Sequence, residues 1–317
     1  MPDRPHRLDA TTLVLLVLPP LFWAGNAIVG RMAVGTIAPF ALNALRWTLA
    51  GLILLPFAWR GLIAHRAAIT REWRTIAGLS VLGVSAYNAL QYLALTTSSP
   101  INVTLISASA PVFILAIGAL LYGERVKRPQ VAGALVSIVG VTMVIARGRP
   151  GNLANLELVP GDLFMLAAAA TWSLYTWILK KHRPDVPQAP LLFVQIVFGT
   201  LLLLPPVLVE ALVLHVPTHV DTPRAWAVLA YVAVFPSLVA YFCWDRGVAQ
   251  AGAALPVFFA NLTPVFAALL SALLLGELPQ WYHGLGLVLI LAGIRLAGRA
   301  RRPTRPGDPQ LSGGRAR

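Results

Sequence analysis

Long apolar stretches separated by short polar connections run through almost the whole chain. Ten of them reach the roughly 20 residues that an α-helix needs to cross a bilayer core at about 1.5 Å per residue. The pattern predicts an all-α integral membrane protein with about ten transmembrane helices, numbered here as spans one to ten. They are 11–30, 39–58, 74–95, 100–122, 129–147, 160–180, 189–210, 225–245, 252–275 and 280–298.

The composition supports this class. Hydrophobic residues make up 57% of the 317 residues and charged residues 12%, with a mean hydropathy of +0.73. A soluble domain has about a quarter of its residues charged, so much of this surface must face lipid. The net charge of +13 does not indicate nucleic-acid binding, because the cations form short runs between apolar stretches. The expected partners are the lipid bilayer and a small molecule, with no nucleic acid.

The distribution of basic residues predicts the orientation. With both termini placed in the cytoplasm, the tails and the connections after spans two, four, six and eight hold 20 of the 25 Lys and Arg residues. The opposite connections hold four, and Arg46 lies inside span two. This bias predicts a multi-pass protein of the bacterial inner membrane with cytoplasmic termini. Four tryptophans at predicted span ends agree, since such rings settle at interfaces: Trp59, Trp73, Trp226 and Trp281.

An internal repeat appears when the chain is shifted on itself by 153 residues. Spans four and five then fall on spans nine and ten, with ten identities in thirty positions. The aligned residues include Pro111 with Pro264, Glu124 with Glu277, and three pairs of glycines. Each half holds five spans, an odd number, so the halves insert with opposite orientation, as in many secondary transporters. The predicted domains are 11–147 and 160–298, with a disordered basic tail at 299–317. Duplication of a purely structural bundle is the alternative to transport.

The order of short motifs resembles the EamA-type family of the drug/metabolite transporter superfamily, from Leu13 to Leu296. The motifs are Phe22-Trp23-Ala24-Gly25-Asn26, Ala44-Leu45-Arg46-Trp47, Tyr92-Leu93-Ala94-Leu95, Gly123-Glu124-Arg125, Pro264-Val265-Phe266 and Gly276-Glu277. The resemblance implies ten helices, cytoplasmic termini and a central cavity lined by spans one, three, four, six, eight and nine. It also implies outward movement of small metabolites, often amino acids. Span seven departs from the pattern at Phe193-Val194-Gln195, and span eight at Trp244-Asp245-Arg246-Gly247.

Polar and aromatic residues inside spans are the candidate binding residues, because such groups usually face a bundle interior or a wet cavity. They suit an uncharged or zwitterionic solute with a flat or apolar part. A role in holding neighbouring helices is the alternative for each. The candidates are Trp23, Asn26, Tyr87, Asn88, Gln91, Trp172, Tyr175, Tyr241, Trp244 and Asn261.

Prolines and glycines recur at matching positions of the halves. Pro111 and Pro264 lie mid-span, where each frees a backbone carbonyl and is expected to kink its helix, as a gate or as a static bend. Glycines seven residues apart predict one close-packing face in spans five and ten, with a homodimer face as the alternative: Gly133, Gly140, Gly286 and Gly293.

Charged residues are scarce within the spans. Arg46 lies about seven residues, or ~10 Å, from the outer end of span two, where it either attracts a substrate carboxylate or anchors the helix. Asp245 lies near the inner end of span eight, and no acid lies near the midplane of span one. A proton-driven cation exporter needs such an acid, so that mechanism is disfavoured. Cys243 is single and the histidines are scattered, so no metal, cofactor or disulfide is expected.

The predicted function is a membrane transporter that exports small organic metabolites, amino acids or related compounds, by alternating access. A multidrug or cation efflux pump is the first alternative. An intramembrane enzyme is the second, and it is disfavoured because no His, Asp or Glu residues are grouped at bilayer depth.

Overall fold

The computed structural model describes residues 10–149, 151, 159–251 and 259–298. Within these ranges all regular secondary structure is helical. Seven helical stretches, some of which contain a break or a π-helical segment, are long and apolar enough to cross a membrane: Ala10–Ala33, Pro39–Ala64, Pro100–Tyr122, Arg128–Ile145, Pro160–Lys181, Gln188–Val213 and Pro223–Trp244. Two shorter apolar helices, Thr263–Leu274 and Trp281–Gly298, follow them. The described residues are therefore all-helical, as predicted, and the length and composition of these helices are consistent with a membrane protein, whereas the predicted tail 299–317 lies outside the described residues.

Span three contains three consecutive helical segments. Trp73–Leu79 is α-helical, Ser80–Ala86 is π-helical and Tyr87–Thr97 is α-helical again. Span three is not one of the seven stretches above, and it contains buried polar side chains such as Asn88 and Gln91. A short helix, Arg66–Arg71, connects it to span two.

Span eight is divided in a similar way. The α-helix Pro223–Val234 is followed by the π-helical segment Phe235–Val239 and by the α-helix Ala240–Ala251. A shift of 153 residues maps Ser80–Ala86 onto positions 233–239, which include this second π-helical segment. A third π-helical segment, Val209–Val213, ends span seven after the α-helix Gln188–Leu208. In such segments the backbone hydrogen bonds span five residues instead of four, and π-helical segments occur frequently at functional sites.

Span four is broken near its middle. Helix Pro100–Ser107 ends before a two-residue turn at 108–109, and helix Ala110–Tyr122 follows. The same shift of 153 leads to positions 261–262, a turn directly before helix Thr263–Leu274. Pro111 and Pro264 are therefore the second residues of new helices, where a missing N–H costs no helical hydrogen bond. The structure differs here from the expectation of a kink inside one continuous helix.

Helices Arg128–Ile145 and Trp281–Gly298, spans five and ten, pack against each other through glycines. A Cβ atom placed on Gly140 would lie 2.9 Å from the Gly286 carbonyl oxygen and 3.0 Å from the Leu289 Cβ. The Ser137 hydroxyl donates to the Ile290 carbonyl oxygen across the same interface, at 3.3 Å. The predicted close-packing face is confirmed. Gly133, Gly140, Gly286 and Gly293 are buried within one chain, so they are not the free face that a homodimer would need.

The outer surface of the bundle carries many large apolar side chains. Leu120 is 82% exposed and Phe57 is 77% exposed, as expected for side chains that face lipid tails. The four tryptophans predicted at span ends are exposed as well. Polar side chains are buried instead between spans one, two, three and eight, which directs attention to the interior.

Candidate functional site

Arg46 lies at the centre of a buried polar network between spans one, two, three and eight. Its side chain is 3% exposed. The Arg46 Nε donates to the Ser237 hydroxyl at 2.6 Å, and Nη1 donates to the Asn88 Oδ1 at 2.8 Å. Longer bonds from Nη1 reach the Tyr92 hydroxyl at 3.0 Å and the Asn26 Oδ1 at 3.4 Å. All four acceptors are neutral, which sets this site apart from an ordinary ion pair.

The network continues along one side of span one. The Tyr92 hydroxyl donates to the Asn26 Oδ1 at 2.9 Å, and the Asn26 Nδ2 donates to the Gln91 Oε1 at 3.0 Å. Asn26, Asn88, Gln91 and Tyr92 are all buried. Three of the candidate residues from the sequence, Asn26, Asn88 and Gln91, are thus brought together by the tertiary structure.

Two acceptors of Arg46 also stabilise the π-helical segments. The Asn88 Nδ2 donates to the Gly83 carbonyl oxygen at 3.0 Å, and the Ser237 hydroxyl donates to the Val232 carbonyl oxygen at 2.7 Å. Each donor lies five residues after its acceptor. Because π-helical geometry leaves carbonyls without the usual i+4 partner, these side chains supply the missing donors. Arg46 therefore joins the irregular segments of spans three and eight.

One aromatic group lies between spans one and eight. The rings of Trp23 and Trp244 are 5.4 Å apart, and those of Phe22 and Phe235 are 5.2 Å apart. Trp23 precedes Asn26 by three residues, so both lie on nearly the same face of span one. Gly25 allows close approach, because a Cβ there would overlap the Tyr231 side chain.

A second aromatic group lies between spans three and six. The ring of Trp172 is 5.1 Å from that of Tyr87 and 5.1 Å from that of Tyr175, on which it stacks. The Tyr87 hydroxyl is 3.5 Å from the Ser107 hydroxyl, at the end of the helix that precedes the break in span four. Tyr87 and Asn88 are adjacent in the chain, so this aromatic group adjoins the Arg46 network.

Two further candidates from the sequence come from span eight and from span nine. Tyr241 is half-buried in span eight, and Asn261 is half-buried in the turn before Thr263. The side chain of Asp245 lies outside the described part of the chain. Sequence reasoning missed Ser237 as a site residue and did not choose Tyr92, and it left Arg46 open between binding a substrate carboxylate and anchoring its helix. The one signal in the sequence was the rare placement of a cation inside a span.

A set of contacts joins the two halves at the end of the bundle where Arg31 lies, called the Arg31 end below. The Arg31 guanidinium lies 3.8 Å from Glu277 and donates to the Leu95 carbonyl oxygen at 2.8 Å. The buried Glu210 carboxylate accepts from the backbone N–H groups of Phe40 and Ala41, at the start of span two. A carboxylate is favourable there because the N-terminus of a helix carries partial positive charge.

Further contacts strengthen the Arg31 end. The Asn102 Oδ1 lies 2.9 Å from the His283 Nε2, and the Ser98 hydroxyl donates to the Asp162 carboxylate. A cavity of about 220 Å³ opens beside them, lined by Ser99, Ile101, Asn102, Arg147, Glu277, Leu278, Gln280, Tyr282 and His283. This cavity could not be predicted from the sequence, because residues far apart in the chain line it.

At the opposite end an exposed ion pair joins Lys181 and Glu124, with Nζ and Oε1 3.1 Å apart. The hydrogen bond and the charge of Lys181 hold the pKa of the Glu124 carboxyl below its usual range. This pair links span four to span six. Among the described residues no group of three His, Cys, Asp or Glu side chains has the arrangement of a metal site.

Comparison with protein families gives two matches along the chain. A model of the EamA-like transporter family matches residues 10–146 and again residues 159–299. One crystal structure, of a chain 22% identical to this one, superposes with a TM-score of 0.58 and covers 92% of this chain and 98% of that chain. At this identity the similarity concerns the fold alone.

Curated relatives are similar over nearly their full length. An uncharacterised transporter from Archaeoglobus fulgidus is 26% identical over 91% of this chain and 98% of its own. The aromatic amino acid exporter YddG from Ancylobacter novellus is 25% identical over 87% of this chain and 93% of its own. A probable terminal-alkyne amino-acid exporter from Streptantibioticus cattleyicolor is 27% identical, and the match covers 92% of this chain and 96% of that one.

Proposed function

The chain belongs to the EamA-like transporter family, and on this premise we propose that it exports small organic metabolites, amino acids or related compounds, by alternating access. The names of two relatives, an aromatic amino acid exporter and a probable terminal-alkyne amino-acid exporter, support this class of solute. The proposed location is the bacterial inner membrane with both termini in the cytoplasm, so the Arg31 end faces outward.

The observation that carries this proposal is the pairing of polar and aromatic side chains inside an otherwise apolar bundle. The Arg46 network offers hydrogen bonds, and the two aromatic groups offer flat apolar surface beside it. Solute sites in proteins combine a mainly apolar lining with a few well-placed polar groups. The proposed binding residues are Trp23, Asn26, Tyr87, Asn88, Gln91, Trp172, Tyr175, Tyr241, Trp244 and Asn261.

We further propose that residues 11–147 and 160–298 form two inverted repeats of five spans. Matching irregularities support this: the π-helical segments of spans three and eight, and the breaks before Pro111 and Pro264, each agree with the shift of 153 residues. In such transporters one repeat rocks against the other around a fixed site. The short helical segments at the breaks are suited to act as hinges.

The contacts at the Arg31 end support a conformation closed toward the outside. Arg31 with Glu277, and Glu210 with the start of span two, both join the first half to the second. Release of a solute through this end requires these contacts to separate. An ion pair in a partly wetted position contributes only about 1 kcal/mol or less, which suits a gate that opens repeatedly.

The test is export from intact cells. Cells with and without the full chain are loaded with Phe-, Trp- and Leu-containing dipeptides, which raise the internal amino-acid pools, and the medium is analysed by mass spectrometry. We expect faster appearance of one or more amino acids with the protein present. Equal amino-acid levels in the two media, together with lower accumulation of an organic cation such as ethidium in the cells that contain the protein, would instead support the cation pump.

A further inference from the structure

The positive charge of Arg46 has no anionic partner in the described part of the chain. The three ion pairs found there are Arg31 with Glu277, Arg71 with Glu72 and Lys181 with Glu124. Of the buried acids, Asp162 accepts from Ser98 and Glu210 accepts from the start of span two. Four neutral acceptors surround Arg46 instead. Burial of an ion costs several kcal/mol, and neutral hydrogen bonds offset this only in part.

The Arg46 guanidinium also has N–H donors that the hydrogen bonds described above do not use. The four hydrogen bonds to described residues leave from Nε and Nη1, and none of them leaves from Nη2. A guanidinium has five N–H donors in a rigid plane, which matches the two oxygens of a carboxylate. An anionic group that reached Nη2 would form charge-assisted hydrogen bonds with it. The same group would also neutralise the buried positive charge.

The surroundings define the rest of the ligand. Trp23 lies one turn before Asn26, and Tyr87 lies next to Asn88, so an aromatic group adjoins the network from span one and another from span three. These rings suit a flat or apolar side chain, whereas a positively charged ligand would be repelled by Arg46.

We infer that Arg46 binds the carboxylate of the transported solute, so that the site selects amino acids and aryl carboxylic acids and rejects organic cations. This inference rests on the proposed function and deepens it. The neutral acceptors hold the guanidinium in place, and the solute supplies the missing anion.

The test compares ligands that differ only in their charged groups. Purified full chain in proteoliposomes is assayed for counterflow of labelled phenylalanine, with 3-phenylpropionate and phenethylamine as competitors. For the wild type we expect 3-phenylpropionate to compete about tenfold or more better than phenethylamine, since a hydrogen bond to a charged group contributes about 1.5–3 kcal/mol. In Arg46→Gln this preference should disappear. Arg46→Lys should keep part of it, because the charge remains without the planar fork.

The matched control is Arg60→Gln, which removes an exposed cation from the same helix, Pro39–Ala64, and should leave the preference unchanged. If Arg46→Gln does not reach the membrane, the test rests on Arg46→Lys, whose preference for 3-phenylpropionate over phenethylamine should be reduced. A wild-type preference that survives in the Arg46 variants would overturn the inference and leave the proposed function standing. Wild-type protein that transports phenethylamine but neither phenylalanine nor 3-phenylpropionate would overturn both the inference and the proposed function.

Discussion

The Arg46 Nε donates a 2.6 Å hydrogen bond to the Ser237 hydroxyl, across 191 residues of sequence. Ser237 in turn donates to the Val232 carbonyl oxygen within the same span, at 2.7 Å. One hydroxyl therefore stabilises the π-helical segment of span eight and fixes it to span two. This contact connects the two matched halves of the chain at the proposed solute site.

Replacement of Ser237 by Ala removes both bonds at once. We expect Ser237→Ala to lower the free energy of unfolding by about 1–3 kcal/mol, because a buried charged donor loses its acceptor. Thermal unfolding in detergent measures this change. Thr263→Ala is the control, since its hydroxyl donates to the Ala260 carbonyl oxygen, three residues earlier in the chain. Equal loss in both variants would contradict a special role for Ser237.

The contact between spans five and ten predicts a sharp difference between two neighbouring glycines. A Cβ on Gly286 would overlap Val144, whereas a Cβ on Gly284 would meet no atom within 4 Å. We expect Gly286→Val to destabilise the protein by about 1–3 kcal/mol through overpacking, and Gly284→Val to have little effect. Thermal unfolding and membrane abundance test this. Similar behaviour of the two variants would count against the packing shown.

The aromatic candidates predict a loss of transport without a loss of protein. Tyr87→Ala and Tyr241→Ala should each lower amino-acid efflux by roughly 3- to 10-fold, because loss of an aromatic ring that packs on the solute costs about 0.5–1.5 kcal/mol beyond its burial. Efflux is normalised to membrane abundance. Tyr122→Ala is the control, because Tyr122 stacks on Trp177, away from the Arg46 network. Unchanged efflux in both test variants would remove these tyrosines from the site.

The exposed pair of Lys181 and Glu124 predicts a pH effect with a definite sign. Because the pKa of Glu124 is lowered in the folded protein, the pair adds stability above the ordinary Glu pKa and loses it as the pH falls through the lowered value. In Lys181→Gln we expect the Glu124 pKa to rise, as followed by carbon-13 NMR titration of labelled glutamate. Lys180→Gln should raise it less, since Lys180 acts only through space. Salt should weaken both effects. Equal rises of the Glu124 pKa in the two variants would contradict the larger role of Lys181.

The charge bias predicts the orientation of the chain. Tags on the two termini should resist protease added outside spheroplasts and become sensitive once the membrane is permeabilised. A tag placed between Leu214 and Asp221, in the connection at the Arg31 end, should be cleaved without permeabilisation. Cleavage of either terminal tag in intact spheroplasts would reverse the proposed topology.

Much of the fold could be predicted because apolar length is a property of continuous sequence. The helical class, the close glycine face and most helix bounds follow from hydropathy and from residue spacing. The irregular parts could not be predicted in the same way. The break at 108–109 depends on where a new helix can start, and the π-helical segments depend on side chains such as Asn88 and Ser237 that satisfy freed carbonyls.

The candidate site was predictable only as separate residues. Asn26, Asn88 and Gln91 were chosen because polar groups are costly in lipid, and the structure joins them in one network. The same reasoning could not place Ser237, since a single serine is common in helices and bonds readily to its own backbone.

By itself the sequence determined that the chain is helical and apolar, because a bilayer requires long apolar helices. The matching motifs at a shift of 153 residues indicated an internal repeat. The sequence also placed a cation inside span two. Only the tertiary structure decided what that cation meets. Contacts between distant residues depend on how helices pack, and packing surrounds Arg46 with four neutral acceptors and with no acid from the described residues.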